Sequence, residues 1–440
     1  MSHVYARHSR NEPAPVMRGE GPYLYDQSGR AYLNCGDAAV SCLGHSDAHV
    51  KAAITAQLDQ VAFAHTGIFS SAPAEALATR LADLAPGALD RVYFVSGGSE
   101  AMEAALKLAR QYFVERGAPQ RHRVIARRQS YHGNTLGALA TGGNAARRAA
   151  FAPLLIDVSH VSPCYAYRGQ HEGESDAAYV DRLIAEIEDE IARVGPETVM
   201  AFVAEPVVGA TLGAVPPVAD YLARVRALCD RHGILLILDE VMCGMGRTGS
   251  LFASAHYDVQ PDICAIAKGL GAGYQPIGAM LCTAEIHDAI RDGSGFFQHG
   301  HTYLGHPVAC AAALAVVERL VDDNVLGHVS AAGATLRAAL LSRLGQHSHV
   351  GDIRGVGLFQ AIELVADRET KAPFDPARKL HAKIKKAAME AGLICYPTGG
   401  TIDGERGDHV LLAPPFIVSD SQIESIADML AQAVDRALAA

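Results

Sequence analysis

Between residues 91 and 282, short apolar runs alternate with stretches whose apolar positions repeat at helical spacing. The runs at 91–95, 123–126, 199–204, 234–238, 263–267 and 277–282 have the length and the uninterrupted apolar centres of buried strands. The stretches at 100–114, 178–194 and 217–231 are amphipathic with a helical period. This strand, loop, helix alternation predicts an α/β fold with a parallel or mostly parallel sheet covered by helices. Upstream, PYLYDQSGRAYLNC reads as a hairpin with its turn at Asp26-Gln27-Ser28-Gly29. Helices follow at 47–61, where Ser46 and Asp47 can cap, and at 73–84, where Pro73 suits a first turn. From about residue 325 the texture changes. A long helix, a break at 351–357, a strand in LFQAIELV, a helix at 376–391 and a last strand and helix predict a smaller α+β domain. The expected organisation is a segment 1–65 packing with that small domain, a large domain 66–325, and the small domain 326–440.

Several predicted strands end on chemistry. The 263–267 run stops at Lys268, followed by Gly269, Gly271 and Gly273, which places an amine at the carboxyl edge of a sheet. A lysine there can form an imine with an aldehyde once its ammonium loses a proton. Asp239 closes the Ile-Leu-Leu-Ile-Leu strand, where a carboxylate is costly to bury unless it meets a cation such as a protonated ring nitrogen. Glu205 also ends a strand, and serves equally as an orienting carboxylate or as a structural hydrogen-bonder before Pro206. Ser96-Gly97-Gly98-Ser99 joins a strand to a helix, a pattern that fits an anion site or a plain cap by Ser99. Tyr131, in Ser130-Tyr131-His132-Gly133, offers a flat ring for stacking. His299, His301 and His306 match no standard metal spacing, so no metal is expected.

Composition narrows the class. With 49% hydrophobic and 20% charged residues the chain is globular, and 440 residues suit two domains. A net charge of −10 without a long basic run argues against a nucleic-acid partner. The polar N-terminus does not resemble a signal peptide, and no apolar run reads as a membrane span. Nine scattered cysteines without CxxC spacing suit reduced thiols, so a cytoplasmic location is expected. An imine-forming lysine, an anion cradle, a stacking aromatic and a carboxylate for a ring nitrogen together describe what pyridoxal 5′-phosphate (PLP) requires.

The motifs FVSGGSEAMEAALKLAR, YHGNTLGALA, FVAEPVVGA, LILDEVMCGMGRTG, PDICAIAKGLGAGYQPIGA, HGHTYLGHPVACAAALA and LLAPPFIV, in this order, resemble class III (omega-type) aminotransferases of PLP fold type I. The resemblance covers the chain from about residue 90 onward. It implies an internal aldimine at Lys268, Asp239 on the pyridine nitrogen, Val241 and Tyr131 on the two ring faces, Gly98 and Ser99 at the phosphate, and Glu205 near the cofactor. Thr302 matches the position that reaches the neighbouring subunit's phosphate, which implies a homodimer, or a tetramer of such dimers, with shared sites. The implied reaction is a ping-pong transfer from an amine or omega-amino acid to an oxoacid, with pyruvate the expected acceptor and 2-oxoglutarate the alternative. Decarboxylation or amino-group migration on the same scaffold uses the same lysine and aspartate. Retention of Lys268, Asp239 and Tyr131 together argues against a binding module without turnover.

Departures from the family pattern bear on substrate. Ala210 stands where members acting on ornithine or GABA often carry a glutamate or another polar group, which argues against a charge gate. Ala39 aligns with a bulky aromatic of many amine:pyruvate members, so a wider pocket for bulkier amines is expected. Arg406, in the long GGTIDGERGD loop, is both a candidate for the acceptor carboxylate and a candidate exposed loop residue. Met242 and Cys243, where Gln and Thr are common, are expected to matter little for the chemistry.

Overall fold

The central sheet has seven strands, ordered Leu89–Val95, Gly278–Thr283, Ile263–Ile266, Leu235–Asp239, Val199–Ala204, Arg123–Arg127 and Val158–Val161. Six run in one direction. Gly278–Thr283 alone is antiparallel to both neighbours. This computed structural model describes residues 3–5, 7, 10, 13–218 and 220–439; the remaining residues of the expected 1–65 segment, Ala219 of the expected 217–231 helix, and Ala440 lie outside the described residues.

Helices cover both faces, so the middle strands are buried on both sides and their apolar runs are continuous rather than alternating. Leu236, Ile237 and Leu238 are fully buried, and each such side chain contributes roughly 1.5–3 kcal/mol of transfer free energy. That burial fixes the strand's position, and with it the position of Asp239 at its end. Val158–Val161 is a strand that sequence reasoning missed, being only four residues long.

Because the six co-directional strands share one carboxyl edge, the segments leaving five of them meet there. These are the turn after Val95, the loop after Arg127, Glu205 after Ala204, Asp239 itself, and Lys268 just beyond Ile266.

A second, antiparallel sheet is ordered Val350–Val356, Phe359–Leu364, Asp408–Leu412 and Tyr396–Gly399, with the helices Val325–Leu344, Leu380–Ala391 and Asp420–Ala439 beside it. The expected break at 351–357 is therefore a strand. Its glycines serve close packing: a Cβ on Gly351 would come within 2.2 Å of the Tyr167 hydroxyl. The helix expected from 376 begins at Leu380, after a short turn at Pro376–Arg378 and a left-handed Lys379 (φ 49°). A third sheet joins Val16–Glu20, Tyr23–Asp26 and Ala31–Asn34 to Leu393–Ile394, with Leu33 paired in parallel to Leu393. Asp47 caps Ala48–Gln60 by accepting from the His49 and Val50 backbone N–H groups.

One sequence expectation needs amending. Val325–Leu344 is long and apolar enough by length and composition to cross a membrane. Its Val329, Leu336, Leu340 and Leu344 are buried in the protein core, and the helix packs against Asp420–Ala439.

Candidate active site

A cavity of about 540 Å³ opens at the carboxyl edge of the central sheet. Gly98, Ser99, Tyr131, Glu205, Asp239, Val241 and Lys268 all line it, so seven of the sequence-selected residues meet in one place.

Lys268 sits immediately after the Ile263–Ile266 strand with a left-handed backbone (φ 47°). For a residue with a side chain that conformation costs on the order of 1 kcal/mol, and such strain clusters at functional sites. Burial makes its ammonium easier to deprotonate than a free lysine's, while the carboxylates of Asp239 and Glu205 act against that shift.

Asp239 is held at both oxygens. Oδ1 accepts from the Val241 backbone N–H at 3.0 Å, and Oδ2 is 2.8 Å from His132 Nδ1. A carboxylate can only accept, so the proton lies on Nδ1. His132 was passed over in the sequence because a histidine beside the more conspicuous Tyr131 carries no spacing signal. Its buried Nε2 has no hydrogen-bond partner among the described residues. Glu205 Oε1 accepts from the Tyr131 backbone N–H at 3.1 Å and Oε2 from that of Gly209 at 2.8 Å. Burial pushes its carboxyl pKa up, and His132 opposes the rise. Glu205 thus fixes the Tyr131 loop as well as facing the cavity.

The helix Gly98–Glu115 begins at the cavity with Gly97 as its first flanking residue and no side-chain cap. Ser99 does not cap it; its Oγ accepts from the Asn134 backbone N–H at 3.0 Å. Ser96, Gly97, Gly98 and Ser99 all line the cavity, so uncapped N–H groups and the positive helix end lie beside it. Gly98 must be a glycine for a packing reason: a Cβ there would meet Val241 Cγ1 at 2.6 Å.

Three sequence-selected residues fall elsewhere. Arg406 does not line the cavity. It is exposed, and its Nε donates to Asp403 Oδ2 at 2.6 Å, because Asp403 turns the loop back on itself by accepting from the Glu405 and Arg406 backbone N–H groups. Ala39 is a core residue packed with Val207, Met242 and Phe359, while Ala38 and Val40 line the cavity instead. Two successive left-handed residues, Ala38 (φ 49°) and Ala39 (φ 64°), turn the chain at this point. Thr302 is exposed and does not line its own subunit's cavity. Conversely, Arg147, Tyr396 and Ala210 do line it. His299 and His301 stack edge to face at 4.9 Å, and among the described residues no three His, Cys, Asp or Glu side chains converge as metal ligands.

A family model of class III aminotransferases matches residues 4–434. An uncharacterized aminotransferase of Schizosaccharomyces pombe is 43% identical, over 100% of this chain and 96% of its own length. The crystal structure of an (S)-enantioselective omega-transaminase from Thermomicrobium roseum superposes with a TM-score of 0.92 at 37% identity, over 99% of this chain and 96% of that one. The Pseudomonas jessenii omega transaminase in complex with PMP superposes with a TM-score of 0.92 at 34% identity, over 100% and 96% of the two chains. This chain belongs to the class III aminotransferases and has the PLP fold type I. The family's cofactor is PLP.

The residues present fit that cofactor. The uncapped helix start with Ser99 suits a phosphate, Asp239 a protonated ring nitrogen, Tyr131 and Val241 a flat ring, and Lys268 an aldehyde.

Proposed function

We propose that this enzyme transfers an amino group from an amine or omega-amino acid to pyruvate, in two half-reactions that share one cavity. The observation that carries the reading is the convergence of Lys268, the His132–Asp239 pair and the uncapped helix start on that cavity. When bound, PLP supplies an aldehyde that carries the amino group between substrates and a ring that withdraws electrons. Lys268, its ammonium made easier to deprotonate by burial, moves a proton at the substrate's amine-bearing carbon. Asp239, fixed by His132 and the Val241 N–H, holds a proton at the ring nitrogen. Tyr131, Val241 and Gly98 shape the walls that exclude water from these groups. On the substrate side, Ala38, Val40, Ala210 and Met242 form an apolar stretch of wall that suits the hydrocarbon part of the amine substrate.

The working unit in this reading is a homodimer. The exposed Phe63 and Tyr303, with rings 5.7 Å apart, form an aromatic cluster with the half-buried His306 next to Thr302. A second copy covering that cluster brings Thr302 towards the partner's phosphate site. In the organisation into 1–65, 66–325 and 326–440, the Leu33–Leu393 strand pairing supports placing the strands of 1–65 beside 326–440, while Ala48–Gln60 packs on Pro307–Asp322 of 66–325. A cytoplasmic location is supported by nine cysteines that are all buried and free.

The deciding experiment records the visible absorbance of the PLP-loaded protein before and after adding amines, and then assays alanine after adding pyruvate. The reading expects the spectrum to change with amine alone, alanine to form afterwards, and both to vanish in Lys268→Ala with the fold retained. Glutamate from 2-oxoglutarate in place of alanine would move the acceptor. Release of CO2 without amino transfer would replace the reaction type.

A further inference from the structure

Arg147 is placed in the cavity wall, half-buried, with its guanidinium carbon 4.8 Å from the centre of the Tyr131 ring. Among the described residues no Asp or Glu pairs with it, whereas Arg406 of the small domain is neutralised by Asp403. A half-buried guanidinium keeps its charge and is the side chain best shaped to grip a planar anion in a fork. Arg7, which is exposed, also lines the cavity. Both guanidiniums act on the Tyr131 hydroxyl, opposing the rise in pKa that burial gives it. The cationic wall is thus a local property of this side of the cavity.

The turn that carries Arg147 is held from behind. Asn144 caps Ala145–Arg148, its Oδ1 accepting from the Arg147 backbone N–H at 3.1 Å. Asn144 Nδ2 donates to Gln129 Oε1 at 3.0 Å, and Gln129 Nε2 donates to the carbonyls of Gly400 at 2.7 Å and Thr401 at 3.1 Å. A Cβ on Gly404 would sit 3.2 Å from the Ala146 nitrogen, so the loop presses directly on the turn. The long loop that carries Arg406 therefore contributes by bracing the segment that carries Arg147. Such support is what a recognition group needs if its position is to be fixed before the ligand arrives.

We infer that Arg147 takes the substrate carboxylate. The favoured substrates are then amino acids and oxoacids whose carboxylate reaches Arg147, in preference to amines without an anionic group. This inference rests on the transaminase reading of the site.

The test uses the PLP-loaded full-length protein and two readouts. The first is the dissociation constant of propionate, an unreactive carboxylate, from its effect on the PLP absorbance. The second is the preference for β-alanine over propylamine in the amine half-reaction. Losing a charge-assisted forked bond raises the propionate dissociation constant and lowers the preference for β-alanine, each by about 10- to 100-fold, in Arg147→Leu. Arg147→Lys, which keeps the charge without the fork, gives a smaller loss in the same direction and serves if the leucine variant does not fold. Arg406→Ala leaves both readouts as in the wild type. Wild-type propionate affinity and amine preference in the Arg147 variants, or the loss appearing in Arg406→Ala instead, would overturn the assignment. The two readings fail separately. Arg147-dependent propionate binding without turnover of any amine removes the transaminase reading and keeps the carboxylate site; turnover with Arg147-independent carboxylate binding does the reverse.

Discussion

His132 Nδ1 donates to Asp239 Oδ2 over 2.8 Å, and neither side chain is more than 5% exposed. With the Val241 N–H on the other oxygen, Asp239 has one available orientation. A carboxylate oriented in this way by a buried neighbour acts through that neighbour's geometry as well as through its own charge. His132 is therefore a positioning residue, and its effect should differ in kind from that of Asp239.

Replacing His132 by Ala removes the donor but leaves the carboxylate in the cavity. The expected outcome is a fall in kcat/KM of about 10- to 100-fold, a range typical of supporting hydrogen bonds at reactive centres. Asp239→Asn, which removes the charge itself, should cost more. The discriminating readout is the pH dependence of the bound cofactor's absorbance, which moves in His132→Ala if orientation is what the histidine provides. A purely structural histidine would lower thermal stability and leave that titration where it was.

Gly98 and Val241 form a tight pair whose consequence is measurable. A methyl group at position 98 would lie 2.6 Å from Val241 Cγ1, well inside contact distance. Gly98→Ala should displace either the helix start or Val241, at a cost of about 1–3 kcal/mol for an overpacked contact, and should weaken PLP binding. Adding Val241→Ala relieves the clash. PLP affinity measured by dialysis and absorbance should be partly restored in the double variant relative to Gly98→Ala alone. Additive losses would mean that the two residues do not share this contact.

What could be read in the sequence, and what could not, follows from which interactions are local. The strands 199–204, 234–238 and 263–267 were legible because burial on both faces leaves no polar interruption, and their carboxyl ends carried Glu205, Asp239 and Lys268. The 351–357 segment was misread because its glycines look like a break. They are set by partners distant in sequence, Tyr167 against Gly351 and the Thr248 backbone against Gly357. Arg147 was invisible within AARRAA, since nothing local distinguishes it from Arg148. Arg406 looked suitable until Asp403, three residues earlier, was found to hold it. Ala39 missed the cavity because a pair of left-handed residues turned the chain by one position.

Acid sensitivity should reside partly in His409. This residue is buried, its Nδ1 is 2.7 Å from Thr401 Oγ1, and burial pulls its pKa down to about 3, with Arg354 adding to the effect. In the unfolded chain the imidazole titrates near its ordinary value of 6.5. Between those values the unfolded state binds a proton that the folded state refuses. Folding stability therefore rises with pH across this window, is fully present above about 6.5, and is lost as pH falls towards 3. One such group contributes at most about 1.4 kcal/mol per pH unit. Thermal midpoints measured from pH 7 down to about 4 should fall less steeply in His409→Leu than in the wild type. Parallel profiles would assign the acid sensitivity to other groups.

The last prediction concerns the junction between the two halves of the molecule. Glu363, wholly buried on Phe359–Leu364, accepts from Arg354 Nη1 at 2.6 Å and from Arg168 Nε at 2.7 Å, and Tyr165 donates to it as well. Arg354 Nε also donates to the Gly213 carbonyl at 2.7 Å. Arg168, Tyr165 and Gly213 come from the part of the chain that builds the cavity, whereas Arg354 and Glu363 come from the second sheet. Each buried charge is satisfied only while the two parts stay docked. Removing one partner leaves the others desolvated without compensation, a change that typically costs about 3–5 kcal/mol. Glu363→Gln should lower the thermal midpoint by several degrees and broaden the transition, as the two parts begin to melt separately. PLP binding measured well below that midpoint should stay near wild type, because none of these side chains lines the cavity. A single sharp transition at the wild-type temperature would show that this cluster does not hold the parts together.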